Sequence, residues 1–221
     1  MEKYALIMAG GIGTRMKTGV PKQFIPIHGL PVLMHSINKF RDHCQKLKII
    51  LVLPADYIDL WKQLCTEFNY KVEHQIVRGG DERYFSVKNG LNYVSEGSLV
   101  SIHDGVRPFV SEKTIETTYN TALEKGNAVA VVKPKDSIRK ITDTGSRAVN
   151  RKDFVIVQTP QCFQTNIIKE AYEQEYRPEF TDDASVLESI GASINLVEGN
   201  DENIKITLPS DIRIAEAILS A

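Results

Sequence analysis

Apolar residues fall along this chain in short unbroken runs, with amphipathic stretches between them. Residues 4–9 (YALIMA), 48–53 (KIILVL), 99–103 (LVSIH) and 128–132 (AVAVV) are such runs, and Gln75-Ile76-Val77 is a shorter one ending at Gly79-Gly80. Continuous apolar runs of this length predict strands covered on both faces. The stretches between them carry helical spacing. Leu33, Ile37, Phe40 and Cys44 share one face of a helix over 31–43. Pro54 and Asp56 lead into a helix through Trp61 and Leu64, and Asp81 is a candidate N-cap for a helix through Val87 and Leu91. A helix from Ser111 to Lys125 stops at Gly126. Strand and helix in alternation predict an α/β fold, a doubly wound and mostly parallel sheet. Ligands of such sheets sit beyond the carboxyl ends of the strands. Three segments fall there: the 10–22 loop, Gly79-Gly80-Asp81, and Asp104-Gly105-Val106-Arg107-Pro108.

The rhythm changes at about 134–155. Ser137 to Thr142 alternates polar and apolar residues, Asp143-Thr144-Gly145 reads as a turn, and Ala148-Val149 resumes the alternation. This pattern predicts a projecting β-hairpin arm, either packed on another subunit or lying as a flap on its own chain. Beyond it, Phe154 to Gln161 returns to strand and loop, and a helix follows near 164–175. Thr181 is a candidate cap for a helix opening with Asp182 and Asp183. Strands over 193–197 and 204–207 precede a final helix after Ser210 that buries Ile212, Ala215, Ile218 and Leu219. No repeat or low-complexity linker divides the chain, so residues 1–221 read as a single domain with the arm inserted in it.

Composition narrows the function classes. Twenty-seven basic against 28 acidic residues leave a net charge of -1, which argues against a broad nucleic-acid or membrane footprint. Cys44, Cys65 and Cys162 are odd in number and widely separated, so they form neither a disulfide framework nor a zinc motif. With an N-terminus that opens directly into a strand and no apolar stretch of spanning length, they point to a cytoplasmic protein.

The first strand supplies the chemistry. It runs into Gly10-Gly11-Ile12-Gly13-Thr14-Arg15-Met16, with Pro21-Lys22-Gln23 close behind. Glycines let backbone N–H groups approach a ligand, Arg15 offers a planar fork, and Lys22 a compact charge. A polyphosphate such as a nucleoside triphosphate fits this combination. A dinucleotide fingerprint would need a third glycine where Met16 stands, and the chain has no Gly-Lys-Ser/Thr run of a Walker A loop.

Taken with Gly80-Asp81-Glu82-Arg83 and Ser86, His103 to Pro108, Thr159-Pro160-Gln161, Thr181-Asp182-Asp183-Ala184-Ser185 and Glu202 to Thr207, the chain resembles the cytidylyltransferases of the nucleotide-diphospho-sugar transferase fold, a Rossmann-like architecture. The resemblance spans essentially the whole chain. It implies transfer of CMP from CTP to a sugar-alcohol phosphate, with release of pyrophosphate and help from Mg2+ or another divalent cation. Arg15 and Lys22 match the family's transition-state-stabilising pair. The backbone of Ala9, Gly10, Gly11 and Gly13 would hold the triphosphate and base. Gly80, Asp81 and Ser86, with Asp104 and Gly105, match nucleotide-binding positions, and Asp104 also matches the acid near the metal. Arg151, Lys205 and Ser137 match residues that position the acceptor phosphate, Ser137 standing where many relatives carry threonine. In the family the arm carries Arg151 into the partner subunit's site, which implies a homodimer.

Two acceptors stay open. Ala9-Gly10-Gly11 also occurs in enzymes acting on ribitol 5-phosphate, whereas the 181–185 and 202–205 motifs look more like those of the methylerythritol phosphate branch of isoprenoid synthesis. A non-catalytic nucleotide sensor of the same fold is the alternative of another class. Retention of Lys205 and Arg151 beside Arg15 and Lys22 weighs against it, since a sensor needs no acceptor-phosphate cations. Several residues also have plainer readings. Arg107 suits a structural ion pair as well as a ligand contact, Glu82 and Arg83 suit a surface pair, and Asp182 and Asp183 suit helix-start charges. The five histidines show no zinc spacing.

Overall fold

The computed structural model describes residues 1–10 and 20–220. In chain order these form β1 (Lys3–Met8), β2 (Pro26–Ile27), β3 (Leu30–Pro31), α1 (Val32–His43), β4 (Lys48–Leu53), α2 (Ile58–Glu67) and β5 (Gln75–Arg78). Next come α3 (Arg83–Leu91), β6 (Leu99–Asp104), α4 (Glu112–Lys125), β7 (Asn127–Val132), β8 (Ile138–Thr142) and β9 (Gly145–Val149). The chain closes with β10 (Ile156–Gln164), α5 (Thr165–Ala171), α6 (Asp183–Glu188), β11 (Leu196–Glu198) and α7 (Pro209–Leu219).

Seven strands make one sheet in the order β11-β7-β10-β6-β1-β4-β5. Every pairing is parallel except those of β10, which runs antiparallel between β6 and β7. The apolar runs are buried on both faces because helices cover both. Leu33, Ile37 and Phe40 of α1, Trp61 of α2 and Ile115 and Tyr119 of α4 pack on one face with Ala5, Ile7 and Leu51. Val87 and Leu91 of α3, Ile168 of α5 and Leu187 of α6 pack on the other with Leu6, Ile50 and Ile102. A smaller cluster seats Ala215 of α7 against Ile27, Val32, Val106 and Ile206.

Register brings the candidate loops to one edge. Met8 pairs with both Val52 and Asp104, and Leu53 pairs with Arg78. The first residue past each strand then bonds to a neighbouring strand: Ala9 N donates to Val52 O at 3.0 Å, Gly79 N to Leu53 O at 2.7 Å and Gly105 N to Met8 O at 2.8 Å. The loops are thereby stitched to the carboxyl edge before any side chain is considered.

Several boundaries differ from the sequence expectation. The N-cap of α3 is Glu82 in extended backbone rather than Asp81, with Ser86 N bonded to Glu82 O. The N-cap of α6 is Asp182 rather than Thr181, because its carboxylate reaches Ser185 N at 2.9 Å and the Ser185 hydroxyl closes a capping box. The helix expected near 164–175 ends at Ala171. Residues 204–207 form no strand: Ile206 N donates to Val106 O of a loop, which offers no ladder to extend. The last helix starts two residues earlier than expected, with Pro209 at a position that lacks a helical N–H partner anyway.

Candidate active site

At the carboxyl edge lies a cavity of about 630 Å³. Its walls include Ala9 and Gly10 after β1, Lys22 and Gln23, Gly79 to Arg83 with Ser86, Asp104 at the end of β6, and Lys205. Of the residues the sequence singled out, Ala9, Gly10, Lys22, Gly80, Asp81, Ser86, Asp104 and Lys205 therefore share one space. Gly11, Gly13 and Arg15 lie outside the described residues.

Lys22 opens a 3-10 turn, Lys22–Phe24, whose Phe24 ring packs on Trp61 and Tyr57 in the core. That anchoring leaves Lys22 only 8% exposed, in the wall of the cavity. Next to it the buried Gln23 amide donates to Ala9 O at 3.0 Å and fixes the carbonyl where the glycine loop begins.

Small residues are required where the 79–80 turn packs on the first turn of α3. A Cβ on Gly80 would lie 2.5 Å from Phe85 Cβ, and one on Gly79 3.0 Å from Ser86 Oγ. Ser86 Oγ accepts from Gly80 N at 3.0 Å and sits 3.2 Å from Gly80 O, to which it donates. The serine thus shapes the 79–80 turn from beneath while lining the cavity.

Asp104 is the electrostatic centre. Burial alone would raise its carboxyl, but Lys205, Arg83 and Arg107 outweigh burial and hold it well below the usual carboxylate range. Lys205 Nζ and Arg107 Nε approach the same oxygen, Oδ2, at 3.0 and 3.2 Å. Oδ1 has no hydrogen bond among the described residues. Arg107 also donates to Asn203 O at 2.8 Å, so it is a structural ion pair tying β6 to the segment before Lys205. Behind Asp104, His103 is buried and pushed down to about 4 by that burial. Its Nε2 meets Arg107 O, which can only accept, so Nε2 donates. Nδ1 of the neutral ring then accepts from the Thr159 hydroxyl at 3.1 Å, and Thr159 Oγ1 accepts from Asp104 N at 3.0 Å. The backbone of Asp104 is locked through this relay.

Three expected site residues stand elsewhere. Gly105 does not line the cavity: its N–H is used by Met8 and its carbonyl by Ser36 Oγ at 3.0 Å, and a Cβ there would strike Leu33 at 2.8 Å. Its smallness serves β1–α1 packing. Arg151 is exposed at the base of the β8–β9 hairpin, where it donates to Lys135 O and lines a second cavity with Lys133 and Lys152. Ser137, just before β8, is exposed and does not line the site cavity. One chain therefore does not bring Arg151 and Ser137 to Lys205. Arg83, in turn, does not pair with Glu82. Its guanidinium grips the buried Asp183 with two bonds, at 2.7 and 2.6 Å. Its place in a motif with Gly80 and Asp81 was the available signal, but the partner lies 100 residues away. Among the described residues no group of three or more His, Cys, Asp and Glu side chains gathers as a metal site, and no helix is long and apolar enough to cross a membrane.

Comparison with known proteins agrees with this geometry. Residues 4–221 match the family model described as 2-C-methyl-D-erythritol 4-phosphate cytidylyltransferase. The chain is 48% identical over 219 residues to the protein of that name from Bacteroides thetaiotaomicron, covering 99% of this chain and all of the relative. Among solved structures it is similar to 4-diphosphocytidyl-2C-methyl-D-erythritol synthase from Anaerococcus prevotii, with a TM-score of 0.84 and 31% identity over 100% of this chain and 96% of the other. It is also similar to 2-C-methyl-D-erythritol 4-phosphate cytidylyltransferase from Thermus thermophilus, with a TM-score of 0.81 and 30% identity over the whole of both chains.

Proposed function

The chain belongs to the 2-C-methyl-D-erythritol 4-phosphate cytidylyltransferase family, and from that premise we propose how its own residues carry the reaction. The enzyme transfers CMP from CTP to 2-C-methyl-D-erythritol 4-phosphate, giving 4-(cytidine 5'-diphospho)-2-C-methyl-D-erythritol and pyrophosphate in the non-mevalonate isoprenoid pathway. The attacking atom is an oxygen of the acceptor phosphate. With a second pKa near about 6, that phosphate is already largely dianionic at neutral pH. No general base is needed, and the one buried histidine beside the site, His103, spends both ring nitrogens on structure. The obstacle is repulsion between two anions as the α-phosphorus becomes five-coordinate.

Cations meet that obstacle. Lys22, with Arg15, acts on the triphosphate and the leaving pyrophosphate. Lys205 aligns the incoming phosphate, its ammonium having three donors and spending one on Asp104. Backbone of Ala9, Gly10, Gly11, Gly13 and Gly80, with Asp81 and Ser86, receives the nucleotide. The observation that carries this reading is the meeting of Lys22 and Lys205 in one cavity with an ionised Asp104.

Asp104 also suits Mg2+. Its carboxylate is held ionised with Oδ1 unengaged among the described residues, and magnesium typically takes one or two carboxylates and completes its shell with phosphate oxygens and water. Bound there, the ion would neutralise phosphate charge.

Arg151 and Ser137 reach an acceptor only in a second copy's site, which makes a homodimer part of the proposal. Support comes from the arm: β8 and β9 pair only with each other, Ile141 is 84% exposed, and Phe154, Val155, Ile156 and Val157 present apolar surface at its base. An isolated hairpin is marginal in water and calls for cover. Residues 1–221 then work as one cytidylyltransferase domain with the arm inserted at 134–155. A reducing cytoplasm suits the three free cysteines.

Pyrophosphate release with CTP and Mg2+ tests the assignment, comparing methylerythritol 4-phosphate with ribitol 5-phosphate under matched conditions. Release with the former alone is expected. Release with the latter alone would move the acceptor to a polyol phosphate, and release with neither would return the chain to the sensor reading.

A further inference from the structure

Two motifs of this chain, Gly80-Asp81-Glu82-Arg83 and Thr181-Asp182-Asp183-Ala184-Ser185, turn out to be halves of one contact. Arg83 is the first residue of α3 and lies immediately past the nucleotide turn, in the cavity wall. Asp183 is the first residue of α6 and has no exposed surface. Its Oδ2 accepts from Arg83 Nη2 and its Oδ1 from both Arg83 Nη1 and the Tyr172 hydroxyl, the latter at 2.7 Å. Burial and the neighbouring Asp183 charge keep the Tyr172 phenol protonated, so it remains a donor. Asp183 is itself held in place: the adjoining Asp182 carboxylate takes Gln161 Nε2 at 2.7 Å, and Gln161 Oε1 takes Ala184 N at 2.9 Å, which pins the start of α6 to β10.

An aromatic brace parallels the ion pair. Tyr84 stacks on Tyr172 with centroids 4.7 Å apart and on Phe180 at 5.8 Å, while its hydroxyl bonds to Tyr172 O. Phe85 packs on Tyr176 and presents its Cβ to Gly80. These contacts of Asp183, Tyr172, Tyr176 and Phe180 therefore converge on Arg83, Tyr84 and Phe85, the residues that directly follow the Gly79–Glu82 turn.

We propose that Asp183 is a positioning residue of the nucleotide site: through the Arg83 guanidinium, and aligned by Tyr172, it sets the geometry of the Gly79–Glu82 turn that receives CTP. The ion pair is too specific for a surface contact, because bidentate guanidinium–carboxylate geometry fixes direction as well as distance. Arg83 is only one-third exposed and held by Asp183, so it acts as an anchor and a directional donor at the turn, while its charge also helps hold Asp104 ionised. This inference rests on the CTP reading of the cavity.

The test measures KM for CTP, KM for the acceptor and kcat in Asp183→Asn, Arg83→Lys and the double variant, with Tyr172→Phe as a milder change that keeps the ion pair. Each single variant at the pair should raise KM for CTP on the order of 10-fold, the size of coupling within one hydrogen-bond network. KM for the acceptor should move less than about 2-fold, and the double variant should be no worse than the poorer single one, as for partners in one network. Tyr172→Phe should shift KM for CTP in the same direction by less. Lower thermal stability with an unchanged KM for CTP, in Asp183→Asn or in Tyr172→Phe if the former does not fold, would reduce the contact to a structural one and overturn the proposal. Equal shifts in both KM values would also overturn it. Wild-type enzyme that releases no pyrophosphate from CTP would instead overturn the reading of the cavity.

Discussion

Lys22 is the single position on which the proposed reaction leans most directly. Lys22 is 8% exposed in the wall of the cavity that we assign to CTP, where its ammonium group meets phosphate charge. Lys22→Ala should therefore lower turnover by on the order of 10²-fold, as loss of one electrostatic stabiliser does. The fold should be retained, and steady-state rates read beside far-UV circular dichroism check both halves. Lys22 and Asp104 stood out in the sequence by their places after a glycine loop and at a strand end, whereas Lys205 was marked only by the family resemblance, and the structure brings all three to one cavity. Gly105 was not, because a glycine that avoids a leucine on another helix looks the same in sequence as one that approaches a ligand. Arg83 and Asp183 were visible as motif members but not as partners, since nothing local in either segment encodes a contact across 100 residues.

At the level of elements, the apolar runs KIILVL and LVSIH read directly as β4 and β6, and helical spacing placed α1 within a residue of its observed bounds. Caps were harder. Asp81 and Thr181 each stood one residue before the true N-cap: Glu82 caps α3 without a side-chain bond, so residue type gave no signal there, and at α6 Asp182 rather than Thr181 closes the capping box with Ser185. The exposed β8–β9 arm is the element whose role reaches furthest from its own sequence. Arg151→Ala should raise KM for the acceptor while leaving KM for CTP unchanged. Charged replacements at Phe154 and Ile156 should shift a dimer to monomers in sedimentation velocity, with loss of turnover in the same preparation. Monomeric wild-type enzyme of full activity would remove the arm from the site.

Across the whole molecule, the titratable groups are arranged for neutral pH. His35, His43, His74 and His103 are all lowered, in each case first by burial. A histidine lowered in the fold is neutral there but protonates readily once unfolded, so its contribution is complete above about pH 6.5 and is lost as pH falls below that value. With His103 at about 4, that residue alone should remove about 2 kcal/mol of unfolding free energy between pH 7 and pH 5. Urea unfolding at the two pH values measures it, and equal stabilities would contradict the burial argument. The order of the sheet has a consequence for how the protein is made. β10 fills the gap between β6 and β7, yet it follows both in the chain. While the ribosome is still extending the chain towards residue 156, β6 has β1 on one side and an open edge on the other, and β7 has no strand beside it at all. Two of the most apolar segments thus wait with unpaired backbone, the condition that invites association between nascent chains and recruitment of chaperones. The same insertion brings Thr159 to Asp104 and the anchor of α6 to the nucleotide turn, so catalytic competence should arrive late and all at once in synthesis.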